Sequence, residues 1–113
     1  MKRILVAVFT LISLMTQAEN PLFSKFDTPH GTVPFHSIGT ADYEPAIDRG
    51  ISLGLAEVEA ICNNRAVPDF DNTIVALENS GKDLDRVLYI FDPLLSALSD
   101  DEMMEISMRV TPK

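Results

Sequence analysis

Apolar side chains recur between positions 70 and 98 at alternating steps of four and three residues. This spacing places them on one face of an α-helix. The repeat keeps its phase across Gly81, so we predict one long helix from Phe70 to Leu98 rather than two. Pro93 is expected to kink this helix, because proline removes a backbone hydrogen bond. The positions that carry the repeat are Phe70, Ile74, Leu77, Gly81, Leu84, Leu88, Phe91, Leu95 and Leu98.

A second helix is predicted from Thr40 to Asn63. Thr40 or Asp42 can cap its start, and Pro45 is tolerated in a first turn. Gly50 and Gly54 weaken a helix, which indicates that a neighbour packs closely there. Residues 63–68 form a short connector, so the two helices are expected to lie antiparallel. The apolar face comprises Tyr43, Ile47, Ile51, Gly54, Leu55, Val58, Ile61 and Cys62.

A third, shorter helix is predicted after residue 98. Ser99 and Glu102 have the spacing of a capping box, in which Ser99 caps the helix and Glu102 reaches back to it. We expect this helix to be cut short, with little to pack on. Residues 19–39 hold three prolines and two glycines and are predicted to be an irregular arm. The predicted fold is all-α: a long antiparallel helical hairpin plus a truncated third helix, after an irregular N-terminal arm.

Residues 1–18 have the pattern of a secretory signal peptide. Lys2 and Arg3 precede an apolar run from Ile4 to Leu14, and Ala18 supplies a small residue for cleavage. The alternative is a membrane anchor, but a spanning helix needs about 20 apolar residues. We therefore predict an exported, periplasmic protein that has no membrane anchor after cleavage.

The charge balance argues against nucleic acid and anionic lipid as partners. Residues 19–113 retain seven basic and seventeen acidic side chains, a net charge of −10. Binding to nucleic acid or to anionic lipid requires clustered lysine and arginine. An acidic, solvated surface accounts for this composition.

The residues that could carry chemistry are few. Cys62 is the only cysteine, and its place on the apolar stripe predicts a buried core thiol rather than a nucleophile. His30 and His36 lie in the irregular arm with Asp27 as the only nearby acid, whereas a zinc site needs three or four ligands in fixed geometry. The sequence therefore assigns no catalytic, cofactor-binding or metal-binding residue.

The acidic clusters have a structural explanation. Asp69 and Asp71 lie at the start of one predicted helix, and residues 100–102 lie at the start of another. Carboxylates at helix starts cap the backbone and complement the helix dipole. Acid–base catalysis would need a carboxylate whose pKa is shifted by burial or by a neighbouring charge.

Three segments resemble the amino-terminal helical region of bacterial peptidyl-dipeptidases, which belong to the thimet oligopeptidase family of zinc metallopeptidases. These segments are residues 41–50, 56–61 and 68–78, and they read ADYEPAIDRG, AEVEAI and PDFDNTIVALE. Residues 20–22 and 99–106 are also similar to exported members. Pro93 departs from the pattern of the family's long helix.

The resemblance implies a large all-α enzyme with a deep channel, which releases carboxy-terminal dipeptides from oligopeptides. It also implies zinc held by an H-E-x-x-H helix and a downstream glutamate, a motif that activates water for hydrolysis. This chain has two histidines and no H-E-x-x-H, so no catalytic or zinc residue carries over to it. In that family the matched region supplies scaffold and channel wall, and zinc belongs to the full-length enzyme.

Three hypotheses follow. The first is an inactive fragment of an exported peptidyl-dipeptidase, whose partner is the missing catalytic domain. The second is a free-standing exported helical interaction module that buries its apolar stripe against itself or against a peptidase. The third is a small exported metalloprotein that uses His30 and His36.

Overall fold

The computed structural model describes residues 19–113, which form helices and turns and contain no β-strand. The α-helices are α1 (Tyr43–Cys62), α2 (Ala76–Asn79), α3 (Lys82–Leu98) and α4 (Asp101–Val110). The all-α prediction is confirmed. The predicted signal peptide at residues 1–18 lies outside the described residues. None of the helices within this range is long and apolar enough to cross a membrane.

Helix α1 begins three residues later than predicted. A 3₁₀ turn at Thr40–Asp42 leads into it, and Asp42 Oδ2 accepts a 2.8 Å hydrogen bond from the Gly39 N–H. Asp42 therefore caps the turn rather than the helix. Pro45 lies in the first turn of α1, where a missing N–H costs nothing.

Helices α1 and α3 form the predicted antiparallel hairpin, and two glycines set their spacing. A Cβ at Gly50 would lie 2.8 Å from Leu84 Cα, and one at Gly54 would lie 3.5 Å from Gly81 Cα. The two glycines are one helical turn apart and therefore share a face of α1. The close packing predicted from them is confirmed.

The prediction of one long helix from Phe70 to Leu98 is wrong. Ser80 is extended and Gly81 has a φ of +76°, so the helix ends there and α3 starts afresh at Lys82. The backbone break is stabilised by the Gly81 N–H, which donates to Glu57 Oε2 at 2.7 Å. Glycine adopts this left-handed conformation without a steric penalty. Before the break, residues 70–75 form a π-helical segment that leads into α2.

Downstream of Gly81, α3 continues through Pro93 to Leu98. The kink at Pro93 remains a prediction. Tyr43 of α1 packs on Phe91 of α3, with ring centroids 5.2 Å apart. The buried core gathers around this pair and consists of Leu22, Tyr43, Ala46, Ile47, Val87, Ile90, Phe91, Met103 and Ile106.

Two predictions about α4 are wrong. Asp100, not Ser99, caps the helix, since Asp100 Oδ1 accepts a 2.9 Å hydrogen bond from the Met103 N–H. Ser99 remains extended and ends α3. Helix α4 also has substantial packing, because Met103 and Ile106 are buried against α1 and α3.

The arm packs on the helical hairpin. Leu22 is fully buried in the core, and Phe23, Phe26 and Val33 pack against its edge. Asn20 Nδ2 donates a 2.8 Å hydrogen bond to the Asp42 carbonyl, which ties the start of the arm to the start of α1. The arm therefore docks on the chain's own helices.

Candidate functional site

An apolar groove of about 500 Å³ lies between α1 and α3 and is bordered by the last turn of α4. We call it the open groove. Its walls are aliphatic and aromatic, and polar side chains border it only on α3 and at the end of α4. The groove is lined by Ile47, Ile51, Gly54, Leu55, Val58, Leu84, Leu88, Phe91, Asp92, Ser107, Val110, Thr111 and Lys113.

The groove is the part of the α1–α3 surface that α4 does not cover, and α1 extends beyond the start of α3 at one end of it. Gly54 lies opposite Gly81, the residue that precedes α3, so the last two turns of α1 have no long helix beside them. Leu55 is 67% exposed and Val58 is 38% exposed. The apolar stripe predicted on α1 is therefore buried at its start and more exposed towards its end.

A second set of apolar side chains is exposed near the tip of the hairpin. Phe70 is 69% exposed, Ile74 is 52% exposed and Leu77 is 53% exposed. These residues belong to the stripe that predicted a single long helix. Because the chain breaks at Gly81, they do not continue the buried face of α3.

Ion pairs fix α4 beside the groove. Arg109 Nη2 lies 2.9 Å from Glu44 Oε2, and Lys113 Nζ lies 2.6 Å from Asp48 Oδ1. Lys113 also lies 3.5 Å from Glu44 Oε1. These contacts join the end of α4 to the first two turns of α1 and hold Lys113 at the edge of the groove.

The ion pairs favour the charged forms of their members. The hydrogen bond from Arg109 lowers the pKa of the Glu44 carboxyl below its ordinary value. The hydrogen bond from Lys113 to Asp48 raises the pKa of the Lys113 ammonium. Such exposed pairs are worth little individually, because water and salt screen them.

Two arginines attach the arm to the hairpin. The guanidinium carbon of Arg49 on α1 lies 4.2 Å from the centroid of the Phe23 ring, and that of Arg86 on α3 lies 4.5 Å from the Phe26 ring. Arg86 Nη2 also donates a 2.5 Å hydrogen bond to the Ser24 carbonyl. Cation–π contacts of this kind stabilise a surface attachment without a deep apolar core.

The histidines of the arm do not form a metal centre with other residues. His30 lies in a turn at Pro29–Gly31 and His36 in a turn at Phe35–Ser37, and both are exposed. Among residues 19–113 no three histidine, cysteine or acidic side chains come together as metal ligands. Two exposed histidines on separate turns do not fit the three or four ligands that zinc requires.

The acidic clusters lie at helix starts, as predicted. Asp69 Oδ1 accepts a 2.7 Å hydrogen bond from the Asn72 N–H, and Asp100 accepts one from the Met103 N–H. Both carboxylates occupy exposed positions. Their hydrogen bonds to backbone N–H groups account for these residues without catalysis.

The prediction that Cys62 is a buried core thiol is wrong. Cys62 is exposed at the last residue of α1. The apolar stripe placed it on a face that would be covered if another helix lay alongside. In the described chain this side chain is left exposed, so periodicity alone gave the wrong burial.

Sequence reasoning missed two features that define the site. Leu22 fills the core from the arm, but it stands in a stretch without helical periodicity. The open groove was not located, because the apolar spacing on α1 does not show which part of the stripe a neighbouring helix covers. The apolar spacing does not show the break at Gly81, so the lengths of α1 and α3 could not be compared from the sequence.

The sequence of this chain is similar to those of known proteins. The chain is 39% identical over 87 residues to a dipeptidyl carboxypeptidase from Salmonella typhimurium and 38% identical over 87 residues to one from Escherichia coli. Each match covers 77% of this chain and 13% of the relative. No protein-family model matches the chain.

The identity agrees with the resemblance seen in the three motifs. The sequence match takes in 77% of this chain. The chain therefore belongs to the dipeptidyl carboxypeptidase family and spans 13% of the length of these two members.

Proposed function

We propose that this chain is the amino-terminal helical segment of an exported peptidyl-dipeptidase, in which it serves as scaffold and channel wall. In this proposal the complete enzyme removes carboxy-terminal dipeptides from oligopeptides with a zinc ion bound outside this segment. The segment by itself has no peptidase activity. Its partner is the catalytic part of the enzyme.

The identity of 39% over 87 residues carries the proposal. The open groove supports it, because a segment that folds against a larger body is expected to leave an apolar face for that body. Monomeric proteins rarely leave large contiguous apolar surfaces without such a purpose. The apolar residues at the hairpin tip fit the same explanation.

The chemistry of this segment also fits a scaffold role. Several of its carboxylates cap helices or pair with Arg109 and Lys113, and its histidines lie on separate turns of the arm. The described residues therefore do not fit a zinc centre, and no catalytic step is assigned to them. Any zinc chemistry belongs to the rest of the enzyme.

Complementation in trans tests the proposal. The Escherichia coli relative, from which the 87 matched residues have been deleted, is produced with and without this chain. The readout is release of carboxy-terminal dipeptides from an amino-terminally blocked oligopeptide. We expect the deleted enzyme to be inactive alone and to recover activity when this chain is supplied.

Two controls make the result decisive. The intact relative sets full activity, and this chain alone sets the background. A soluble, folded deletion variant that gains nothing from the chain would refute the scaffold role. Activity of the chain alone would refute the assignment of catalysis to the rest of the enzyme.

Export to the periplasm is the second part of the proposal. The signal pattern of residues 1–18 supports it, with Ala18 before the cleavage site. Mass spectrometry of the mature protein is expected to find Glu19 at the amino terminus. An Ala18→Leu variant is the control, because a large residue there blocks cleavage; an uncleaved cytoplasmic wild-type chain would refute export.

A free-standing helical interaction module is the alternative. The open groove favours this alternative, because a second copy of the chain would cover the exposed apolar face. Sedimentation of the chain distinguishes the two, since the alternative requires a defined oligomer. The scaffold proposal expects no such oligomer.

A further inference from the structure

We propose that the open groove binds one amphipathic α-helix that carries an aliphatic face and a basic side chain directed at Asp92. The helix comes from the part of the peptidase outside the matched segment. This inference rests on the proposed function, which it deepens by identifying the contact surface. It names both the place of docking and the chemistry of the partner.

The shape of the groove selects a helix. Two antiparallel helices approach closely at Gly50, and the side chains of Leu55, Val58, Leu84 and Leu88 line the groove between them. A groove between two helices is the surface into which a third helix packs its ridge of side chains. A strand or an extended peptide would leave its backbone groups without partners against such an apolar lining.

The molecule already uses this mode of packing at one end of the hairpin. Helix α4 contacts both α1 and α3 and buries Met103 and Ile106 against them. Its last turn then borders the open groove through Val110. The groove is thus the part of the α1–α3 surface that α4 leaves uncovered.

Charge selects a basic partner over a second copy of the chain. Asp92 borders the groove and makes no salt bridge to any residue of the described part. Lys113, the groove's cation, is already bound to Asp48 and Glu44. A second copy would bring another net charge of −8, whereas a lysine or arginine on the docked helix would pair with Asp92.

The length of the relatives indicates where the docked helix comes from. The match covers 13% of each relative, so most of each relative's chain lies outside it. The relatives therefore contain ample sequence from which the helix can come. Covering the exposed Leu55 and Val58 gives that helix its apolar contact.

Peptide binding tests the inference. Fluorescent peptides about 20 residues long, or roughly five to six helical turns, tile the Escherichia coli relative outside the matched 87 residues. Their anisotropy is measured against the full 113-residue chain. We expect one amphipathic, basic peptide to bind and to gain helicity on binding.

Three variants locate the binding surface. Leu55→Asp is expected to weaken binding by at least about tenfold, because a charge would be buried against the aliphatic face. Asp92→Asn is expected to weaken it by about two- to fivefold, the value of a partly exposed ion pair. Phe70→Asp is the matched control, since Phe70 is 69% exposed against 67% for Leu55 but lies outside the groove.

The outcomes separate this inference from the proposed function. Equal binding by Leu55→Asp and Phe70→Asp, or no bound peptide at all, would overturn the groove assignment. Successful complementation in trans together with that result would leave the scaffold role intact. A dimer of the chain that Leu55→Asp dissociates would also overturn the inference, because the occupant would then be a second copy.

Discussion

Replacing Gly50 with alanine is expected to force α1 and α3 apart and to destabilise the chain. The new Cβ would lie 2.8 Å from Leu84 Cα and 3.1 Å from both Leu84 N and Leu84 Cβ. These neighbours belong mostly to the backbone of α3, so they cannot rotate away as a flexible side chain would. Relief of the overlap requires movement of one helix relative to the other, and a gap of about 0.5–1 Å forfeits a quarter to a half of each dispersion contact.

Two opposing effects set the magnitude. Alanine is about 1 kcal/mol more favourable than glycine inside a helix, whereas overpacking a core costs about 1–3 kcal/mol. Gly50→Ala is therefore expected to lower the free energy of unfolding by about 0–2 kcal/mol. Gly54→Ala is the control, because its Cβ would lie 3.5 Å from Gly81 Cα, an ordinary contact. It is expected to raise the free energy of unfolding by up to about 1 kcal/mol.

The difference between the two alanine variants is the quantity to measure. The helix preference is common to Gly50→Ala and Gly54→Ala, so about 1–3 kcal/mol of difference reports the overpacking alone. Urea unfolding followed by far-UV circular dichroism gives both values, with a common slope in the fits. Equal stabilisation by the two substitutions would refute the argument that the glycine at position 50 is required by the approach of α3.

Three further predictions concern the arm, the ion pairs and the free thiol. Leu22→Ala should lower the free energy of unfolding in urea by about 2–5 kcal/mol, because Leu22 is fully buried. Phe35→Ala is the control, since Phe35 is 54% exposed. Equal losses of stability in the two variants would contradict the docking of the arm. The folded-state pKa of Glu44 is lowered by Arg109, so the stabilisation is present above the ordinary pKa and is lost as the pH falls through the folded-state pKa. Thermal unfolding at several pH values should therefore show Glu44→Gln below the wild type near neutral pH, with the gap closing in acid; a gap that does not depend on pH would refute this. Cys62 is exposed and should react with a thiol reagent in native buffer as fast as in urea, whereas strong native protection would show that the end of α1 is covered.

The free chain is expected to be only marginally stable. Nine of the residues in the range 19–113 form its buried core, and the arm adds aromatic contacts at the edge. Small domains bury a smaller fraction of their surface than large ones, so the loss of one core contact is a large share of the total stability. A partner helix in the open groove would raise the stability by binding only the folded state.

The ion pairs of α4 also affect how a partner helix would bind in the open groove. Arg109 and Lys113 join α4 to Glu44 and Asp48 on α1, and α4 borders the open groove. A helix that docks in the groove would therefore contact an edge that these pairs already hold in place. Preorganisation of this kind lowers the entropic cost of association.

The sequence by itself determined the helical class, the antiparallel hairpin and the family. Apolar spacing identified α1 and the second half of the hairpin, and Gly50 and Gly54 indicated a close neighbour. The acids at Asp69 and Asp100 were predicted to lie at helix starts. These features depend on local backbone chemistry and on patterns of a few residues, which a single chain displays directly.

Only the tertiary structure decided where the helices end and which apolar faces are covered. The break at Gly81 depends on a glycine φ of +76° and on a hydrogen bond from Gly81 to Glu57, 24 positions earlier. The burial of Leu22 and the exposure of Cys62 depend on elements distant in sequence. Periodicity states which face of a helix is apolar, but whether that face meets a neighbour is fixed by the lengths and positions of other elements. The open groove lies where α4 leaves the α1–α3 surface uncovered, and the spacing of apolar residues does not show this.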